Sequence, residues 1–330
     1  MSHYHIYGLG AALVDTEIEV SDQDLTQCGV EKGLMTLVDE DRQHQLMEQL
    51  SGHLVASKRA CGGSGANTII AANYFGAKSF YSCRVADDDT GRFFTQSLQQ
   101  AGVDFSSNTC SEEGISGKCL VMITPDAERS MNTFLGVSAT VCDQQLDHDA
   151  IKQSQWVYIE GYQVSSPSGK AAAIELRDVA TAAGVKTSLS LSDPAMVEFF
   201  HDGLVEMIGE KVDLLFSNEA EAIHFTRSSN VSEAAQALRQ YANTFVITLG
   251  AKGALIWDGE KEMTVAAPKV EAIDSNGAGD LFAGAFLYGL SQGWDYQRCG
   301  ELASLAASTL VTQFGPQLRE EQYAELLAQV

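Results

Sequence analysis

The stretch Asp274-Ser275-Asn276-Gly277-Ala278-Gly279-Asp280 decides the fold, because a long apolar segment, residues 281–290, follows it directly. A glycine-rich turn that opens into a helix presents backbone N–H groups and the positive end of the helix dipole to an anion. Asp280 would lie in the first helical turn, where its carboxylate can accept a proton from a hydroxyl. The stretch therefore predicts phosphoryl transfer, with Asp280 as base and Gly277, Ala278 and Gly279 as N–H donors. A plain glycine turn with an aspartate cap explains the same residues if the stretch is taken alone.

Two other phosphate-binding motifs do not fit the sequence. The P-loop pattern G-x-x-x-x-G-K-[ST] does not occur, since Gly169-Lys170 precedes Ala171 and Gly117-Lys118 precedes Cys119. Gly8-Leu9-Gly10 ends a predicted strand, but position 13 is leucine and an extended acidic stretch follows in place of a helix. A Walker-type mechanism is excluded and a dinucleotide-binding fold is disfavoured.

Outward from this stretch, strand and helix patterns alternate along most of the chain. Strands are predicted at 3–13, 79–85, 156–160, 186–191, 212–216 and 245–249, and helices at 43–50, 64–75, 90–100, 168–183, 219–225, 232–241, 278–291 and 297–313. This order predicts an α/β fold, a central mainly parallel sheet flanked by helices. The alternation is interrupted by β-rich segments at about 14–38 and 115–136, which predict a small lid. We expect one domain, 1–330, that carries this lid.

Composition restricts the possible partners and compartment. The chain has 21 Lys and Arg against 44 Asp and Glu, a formal net charge of −23, which repels nucleic acid and anionic membranes. Its seven cysteines form no C-x-x-C pair, a usage typical of reduced thiols. No targeting segment or membrane span is predicted. We therefore expect a cytoplasmic protein without nucleic acid or membrane partners.

The stretch 274–280 resembles the D-T-x-G-A-G-D signature of the ribokinase and phosphofructokinase-B family. Gly62-Gly63-Ser64-Gly65-Ala66-Asn67 is similar to the G-G-x-x-x-N motif of the same family, and the two motifs stand in the family's order. The resemblance implies a ribokinase-like fold and an ATP-dependent kinase that phosphorylates a sugar hydroxyl. It also implies Mg²⁺ as cofactor and a monomer or homodimer, and it leaves activation by K⁺ open.

The resemblance implies substrate-binding roles for Gly62, Gly63 and Asn67, and for Asp15, which is placed at the end of the first predicted strand. Glycines permit close backbone approach, and carboxylate and amide groups suit the hydroxyls of a ribose. For Asp15, a solvated loop position is the alternative reading. For Asn67, the alternative is an amide on a helix surface.

The resemblance also implies a nucleotide and metal site. Asn218 and Glu221 match the family's N-x-x-E motif, which holds Mg²⁺ through water, although the same pair is typical of a helix cap. The residues implied to bind the nucleotide are Asn218, Thr248, Gly250, Gly253, Asn276 and Arg129. Arg129 would lie over the transferring phosphate, and a surface ion pair is the alternative.

The substrate is predicted from two further likenesses. Asn276 stands where many sugar kinases have threonine, and asparagine at that position is similar to adenosine and inosine-guanosine kinases. The segment around Met35 resembles an adenosine-kinase lid, so Met35 is expected to contact the substrate. Asp193-Pro194, however, is similar to sugar kinases. We expect phosphorylation of a purine nucleoside such as adenosine at its 5′-hydroxyl. The alternatives are a kinase for ribose, fructose or 2-keto-3-deoxygluconate, and a non-catalytic nucleoside or sugar sensor.

Overall fold

The computed structural model describes residues 3–54, 57–111, 113–126 and 128–330. The strands are β1 Tyr4–Leu9, β2 Leu13–Glu19, β3 Met35–Leu37, β4 Lys58–Gly62, β5 Ser79–Ser82, β6 Val85–Ala86, β7 Cys110–Ser111, β8 Gly117–Ile123, β9 Arg129–Phe134, β10 Ser154–Glu160, β11 Lys186–Ser190, β12 Val212–Asn218, β13 Ala242–Thr248, β14 Ala254–Trp257 and β15 Glu262–Val265. The helices are α1 Asp22–Cys28, α2 Glu40–Gln49, α3 Ser64–Tyr74, α4 Asp89–Gln100, α5 His148–Lys152, α6 Pro167–Ala182, α7 Pro194–Ile208, α8 Glu219–Thr226, α9 Val231–Leu238, α10 Ala278–Ser291, α11 Tyr296–Leu310 and α12 Glu320–Leu327.

The main sheet has the strand order β15-β14-β13-β12-β11-β10-β1-β5, and it is parallel except for β14 and β15. Side chains alternate between its faces, so Tyr158 of β10 belongs to the core cluster that includes α3, α10 and α11, while Ile159 belongs to the cluster that includes α6 and α7. Helices therefore cover both faces, which confirms the predicted α/β fold.

A second sheet has the order β3-β9-β8-β2-β4 and stands apart from the main one. One of its faces packs on α1 and α2 through a small cluster that includes Ile18, Leu46 and Leu120. Its strands come from the two predicted β-rich segments and from β4, which neither segment included. The short sequence of β4, KRACG, has no regular alternation that would have indicated a strand.

Two predicted strands are each divided in the structure. The predicted strand 3–13 is two strands, because the chain leaves the main sheet after Leu9 and enters the small sheet at Leu13. Asp15 accordingly lies inside β2 and not at the end of the first strand. The predicted strand 79–85 also divides, since β5 belongs to the main sheet and β6 pairs only with β7.

Four helices of the described residues lie outside every predicted helix: α1, α5, α7 and α12. α1 is only seven residues long, and its sequence signal is the capping box between Ser21 and Asp24 rather than an apolar period. α7 begins with Asp193 as N-cap and proline in its first turn, and its regular pattern is broken by non-helical backbone at Phe200. Within the described part of the chain, no helix has the length and hydropathy to cross a bilayer.

Candidate active site

A large cavity lies between the carboxyl ends of the main parallel strands and the inner face of the small sheet. Its volume is about 760 Å³, and it is lined by residues from both sheets and from the start of α10. Ligands of open α/β sheets bind at the carboxyl ends of strands, where the connecting loops diverge. Most of the predicted site residues line the cavity: Asp15, Met35, Gly63, Asn67, Arg129, Asn218, Glu221, Thr248, Asn276, Gly277, Gly279 and Asp280.

Asp280 lies in the first turn of α10, and two side chains from α3 donate hydrogen bonds to it. Ser64 Oγ donates to Asp280 Oδ1 at 2.6 Å, and Asn67 Nδ2 donates to Asp280 Oδ2 at 3.2 Å. Because each carboxylate oxygen has a donor of its own, the carboxylate is held in one orientation. The two motifs, more than 200 residues apart in sequence, therefore meet at this carboxylate.

Several carboxyl groups around the cavity resist ionisation. Burial raises the pKa of Asp280 to about 6, and the hydrogen bonds from Ser64 and Asn67 act in the opposite direction. Burial likewise raises the pKa of Asp15, of Glu160 and of Glu221 to about 7 each, and the charge of Asp280 adds to the rise in all three. Perturbed carboxyl groups in a cleft are typical of a catalytic site.

The glycine turn before α10 adopts the conformation that the sequence required. Gly277 is the N-cap with φ of 74°, and a Cβ there would lie 2.6 Å from the carbonyl oxygen of Pro316, so only glycine fits. Gly277 and Gly279 line the cavity, whereas the N–H of Ala278 donates to the carbonyl of Ser275 at 3.3 Å within the turn. Of the three residues predicted as N–H donors, Gly277 and Gly279 are therefore the two that line the cavity.

Asp15 and the glycine pair of the first motif are packed together. Asp15 is 8% exposed and borders the cavity, and β2 pairs with β4 so that its carboxylate faces Gly62. A Cβ at Gly62 would collide with that carboxylate. Gly63 has φ of 93° and precedes α3 as its N-cap. Gly62 itself does not line the cavity, and the lack of a side chain at this position leaves room for the carboxylate of Asp15.

Arg129 connects the small sheet to the start of the glycine turn. Its guanidinium forms an ion pair with Glu17 of β2 at 3.1 Å and a close ion pair with Asp274, and Arg129 Nε is buried without a partner among the described residues. Asp274 is 4% exposed and also accepts hydrogen bonds from the N–H groups of Gly315 and Asn276. The alternative reading of Arg129 as part of a surface ion pair is therefore wrong, because its ion pairs are buried and Arg129 lines the cavity.

Asn218 and Glu221 form a reciprocal capping box at the start of α8. Asn218 N donates to Glu221 Oε2 at 2.9 Å, and Glu221 N donates to Asn218 Oδ1 at 2.8 Å. Both residues also line the cavity, so the capping role leaves them beside the space that a ligand could occupy. Burial is the main cause of the raised pKa of Glu221, and the negative charges of Asp193 and Asp280 raise it further. Because these carboxylates repel one another, a cation between them would be stabilised.

The predicted nucleotide residues divide into two groups. Thr248 and Asn276 line the cavity, and Asn276 N donates to Asp274 Oδ1 at 3.0 Å. Gly250 and Gly253 border the short 3₁₀ turn after β13 and do not line the cavity. A Cβ on Gly253 would collide with the carbonyl oxygen of Val265, so a structural requirement for glycine accounts for this position.

Among the residues to which the sequence analysis gave no role, three form hydrogen bonds with predicted site residues or their neighbours: Ser64, Glu160 and Gln317. Ser64 stands inside the quoted motif but was given no role. Glu160, 1% exposed, ends β10 and accepts hydrogen bonds from Ala11 N at 2.5 Å and Gly65 N at 3.1 Å. An acidic residue at the carboxyl end of a buried parallel strand was the available signal. Gln317 follows α11 in an irregular segment, and no pattern in the sequence marks it.

Comparison with known proteins gives three consistent results. A family model described as pfkB family carbohydrate kinase matches residues 34–322. The solved structure of adenosine kinase from Sinorhizobium meliloti is 31% identical, with a TM-score of 0.90 over 98% of this chain and 99% of that one. Adenosine kinase of Schizophyllum commune is 27% identical over 97% of this chain and 98% of its own length. Ribokinase of Haemophilus influenzae is 30% identical over 78% and 83%.

Proposed function

Because the chain belongs to the pfkB family of carbohydrate kinases, we propose that it transfers the γ-phosphoryl group of ATP to the 5′-hydroxyl of a purine nucleoside such as adenosine. Family membership makes the chain a phosphotransferase that acts on a hydroxyl group, so the non-catalytic sensor is set aside. The relatives include both adenosine kinases and ribokinases, so they do not determine the acceptor. The choice of a nucleoside as acceptor is therefore our proposal.

The observation that supports a nucleoside as the acceptor is a set of apolar side chains on the small sheet that form one wall of the cavity. Met35 and Leu37 of β3 and Met131 of β9 line the cavity, and Asp15 of β2 lines it from the same sheet. A ribose offers hydroxyls to Asp15 and Asn67 but has no flat apolar face. A purine does, and burying that face against the side chains of the small sheet favours a nucleoside over a free sugar.

The proposed chemistry is direct in-line transfer, with the base and the donors supplied by one helix start. The 5′-oxygen attacks the γ-phosphorus, a new O–P bond forms, the bond to the bridging β,γ-oxygen breaks, and ADP leaves. Asp280 accepts the hydroxyl proton. The N–H groups of Gly277 and Gly279 stabilise the charge on the transferring oxygens, a contribution typically worth about 3 kcal/mol per donor.

Mg²⁺ fits this site only through water. Among the described residues, no group of three or more His, Cys, Asp or Glu side chains could hold a metal directly. Mg²⁺ keeps most of its waters and prefers oxygen ligands, and Asn218 and Glu221 supply one amide and one carboxylate beside the cavity. Bound there with ATP, it would neutralise phosphate charge.

A coupled assay of ADP release with Mg-ATP and a panel of acceptors tests the proposal. Adenosine, inosine and guanosine should support turnover, and ribose, fructose and 2-keto-3-deoxygluconate should support less. A preference for one of the sugars would replace the nucleoside by that sugar, while absence of turnover with every acceptor would contradict the site assignment.

Glu221→Gln is expected to raise the Mg²⁺ concentration for half-maximal rate by about three- to tenfold, because the variant loses the carboxylate charge and keeps its shape. KM for the acceptor should change less. Initial rates over a Mg²⁺ series at saturating ATP measure both. Glu233, which caps α9 with Asn230 in the same way but does not line the cavity, provides the matched control Glu233→Gln. Equal Mg²⁺ dependence in both variants would leave Glu221 a helix cap only.

The rate should fall as the pH is lowered through about 6. Asp280 accepts a proton only when it is ionised, and its raised pKa of about 6 places the loss below that pH, tenfold per pH unit. Asp15, with a pKa of about 7, makes the fall steeper where it also protonates. Ser64→Ala removes a hydrogen bond that lowers the pKa of Asp280, so its acid limb should move to higher pH. A rate independent of pH between 5 and 8 would contradict Asp280 as base.

A further inference from the structure

The segment after α11, residues 315–317, contacts the site at three points. Gly315 N donates to Asp274 Oδ2 at 2.9 Å, and Pro316 packs on Gly277 so closely that no Cβ fits between them. Gln317 Nε2 donates both to the carbonyl oxygen of Cys61 at 3.2 Å and to Asn67 Oδ1 at 3.1 Å. This side chain touches neither Asp280 nor the glycine turn by hydrogen bond, yet it binds the amide that does.

We infer that Gln317 is a positioning residue, which fixes the amide of Asn67 so that its NH₂ group faces the carboxylate of Asp280. The inference rests on the proposed function, in which Asp280 is the base. It adds a residue from the far end of the chain that sets the orientation of that base without touching the substrate.

The polarity of the contacts carries the argument. A backbone carbonyl is only an acceptor, so the carbonyl of Cys61 requires the NH₂ end of Gln317. That NH₂ group has a second hydrogen, which requires an acceptor, and the acceptor is Asn67 Oδ1. The amide of Asn67 then has one remaining orientation, with Nδ2 toward Asp280 Oδ2. The carbonyl of Cys61 in β4 thus determines the orientation of the Gln317 amide, which in turn determines that of the Asn67 amide. As a result Asn67 presents its NH₂ group, and not its oxygen, to Asp280.

The opposite orientation is unfavourable at both ends. If the amide of Asn67 turned over, its oxygen would face a carboxylate oxygen of Asp280, and its NH₂ would face the NH₂ of Gln317. Two acceptors and two donors would then be opposed in a buried place, where unmatched polar groups are costly. Asn67 alone has no such preference, because its two ends have the same shape.

The test combines Gln317→Glu and Gln317→Met with the matched charge control Gln322→Glu. Gln322 accepts a hydrogen bond from Arg319 N through its oxygen, so glutamate keeps that contact. Gln317→Glu offers oxygen where Asn67 now meets NH₂ and should turn the amide over. We expect kcat to fall about tenfold or more, and the pKa of Asp280 to rise by about half a unit or more, because it loses a hydrogen-bond donor. Gln317→Met should show a smaller change in the same direction, and Gln322→Glu none.

A double-mutant cycle separates the link from the added charge. In Asn67→Ala, the intermediate amide is gone, so Gln317→Glu should have little further effect on the pKa of Asp280. An effect that persists in full in the Asn67→Ala background would come from charge alone and would overturn the inference. So would a thermal destabilisation of Gln317→Met with an unchanged pH profile.

The pKa of Asp280 is also measurable without turnover. Carboxyl-carbon NMR of the full chain, with the Asp280 signal assigned by its absence in Asp280→Asn, follows the titration directly. The other titratable groups that interact electrostatically with Asp280 are Asp15, Glu160, Glu221, Tyr158 and Tyr162, and none of them is altered in these variants. If Gln317→Glu shifts the pKa of Asp280 but the wild-type chain phosphorylates no acceptor, the positioning role of Gln317 is upheld and the proposed function is rejected. If the wild-type chain is an active kinase but Gln317→Glu leaves the pKa of Asp280 unchanged, the positioning role is rejected and the proposed function is upheld.

Discussion

Asp280→Asn is expected to lower kcat by about 10²- to 10⁴-fold, the usual contribution of a general base, while the protein stays folded. Asparagine keeps the size of the side chain, and its oxygen can still accept a hydrogen bond from Ser64 or Asn67. It cannot accept the proton of the attacking hydroxyl. Steady-state kinetics with saturating acceptor and Mg-ATP measure the loss, and thermal unfolding checks the fold.

A matched control for this substitution is Asp295→Asn. Asp295 is the N-cap of α11, where its side chain accepts from Arg298 N, and asparagine caps a helix equally well. This variant should retain normal turnover. If Asp280→Asn also kept most of its turnover, Asp280 would be a helix-terminal residue, and another group would have to take the proton.

The acceptor preference is the second large effect. We expect kcat/KM for adenosine to exceed that for ribose by at least about 10², a ratio that corresponds to about 2.8 kcal/mol. At ~25 cal/mol per Å², burial of roughly 110 Å² of purine surface against Met35, Leu37 and Met131 supplies this difference. Both acceptors share Asp15 and Asn67, so the ribose hydroxyls contribute equally to each. Competing the two acceptors in one reaction measures the ratio directly.

The apolar wall itself can be tested with the same assay. Met131→Ala should reduce kcat/KM for adenosine by about five- to tenfold and leave that for ribose nearly unchanged, since only the base loses contact area. Comparable values for adenosine and ribose in the wild type, or a clear preference for fructose, would reject the nucleoside and leave the kinase and Asp280 untouched.

The fold was predictable where a local pattern is complete. The stretch 274–280 and the helix after it appeared as predicted, because a glycine N-cap with positive φ and an apolar helix are both local properties. The division of the first strand was not predictable in this way. Residues 4–9 and 13–19 differ in the sheet they join, and that choice depends on distant partners, β10 for the first and β8 for the second.

The site was predictable in the same uneven manner. Residues within a motif, such as Asp280 and Asn67, lie at the cavity because the motif fixes their local geometry. Ser64 and Glu160 gain their contacts from tertiary packing, and Gln317 gains its contacts from the meeting of two segments about 250 positions apart. No window of sequence contains that information, although the polarity of the three groups explains it once they are adjacent.

The strand order has a consequence for biosynthesis. All the parallel strands of the main sheet have been synthesised once Thr248 is added, but α10 and α11, which cover one face of that sheet together with α3, come later. Until then only α3 of these three helices can cover that apolar face, and exposed apolar surface of this kind favours aggregation. In the proposed mechanism the chain also has no base until then, because Asp280 lies in the first turn of α10. The helix that helps to complete the core would therefore also supply the base, and a chain that ends before it would not phosphorylate its substrate.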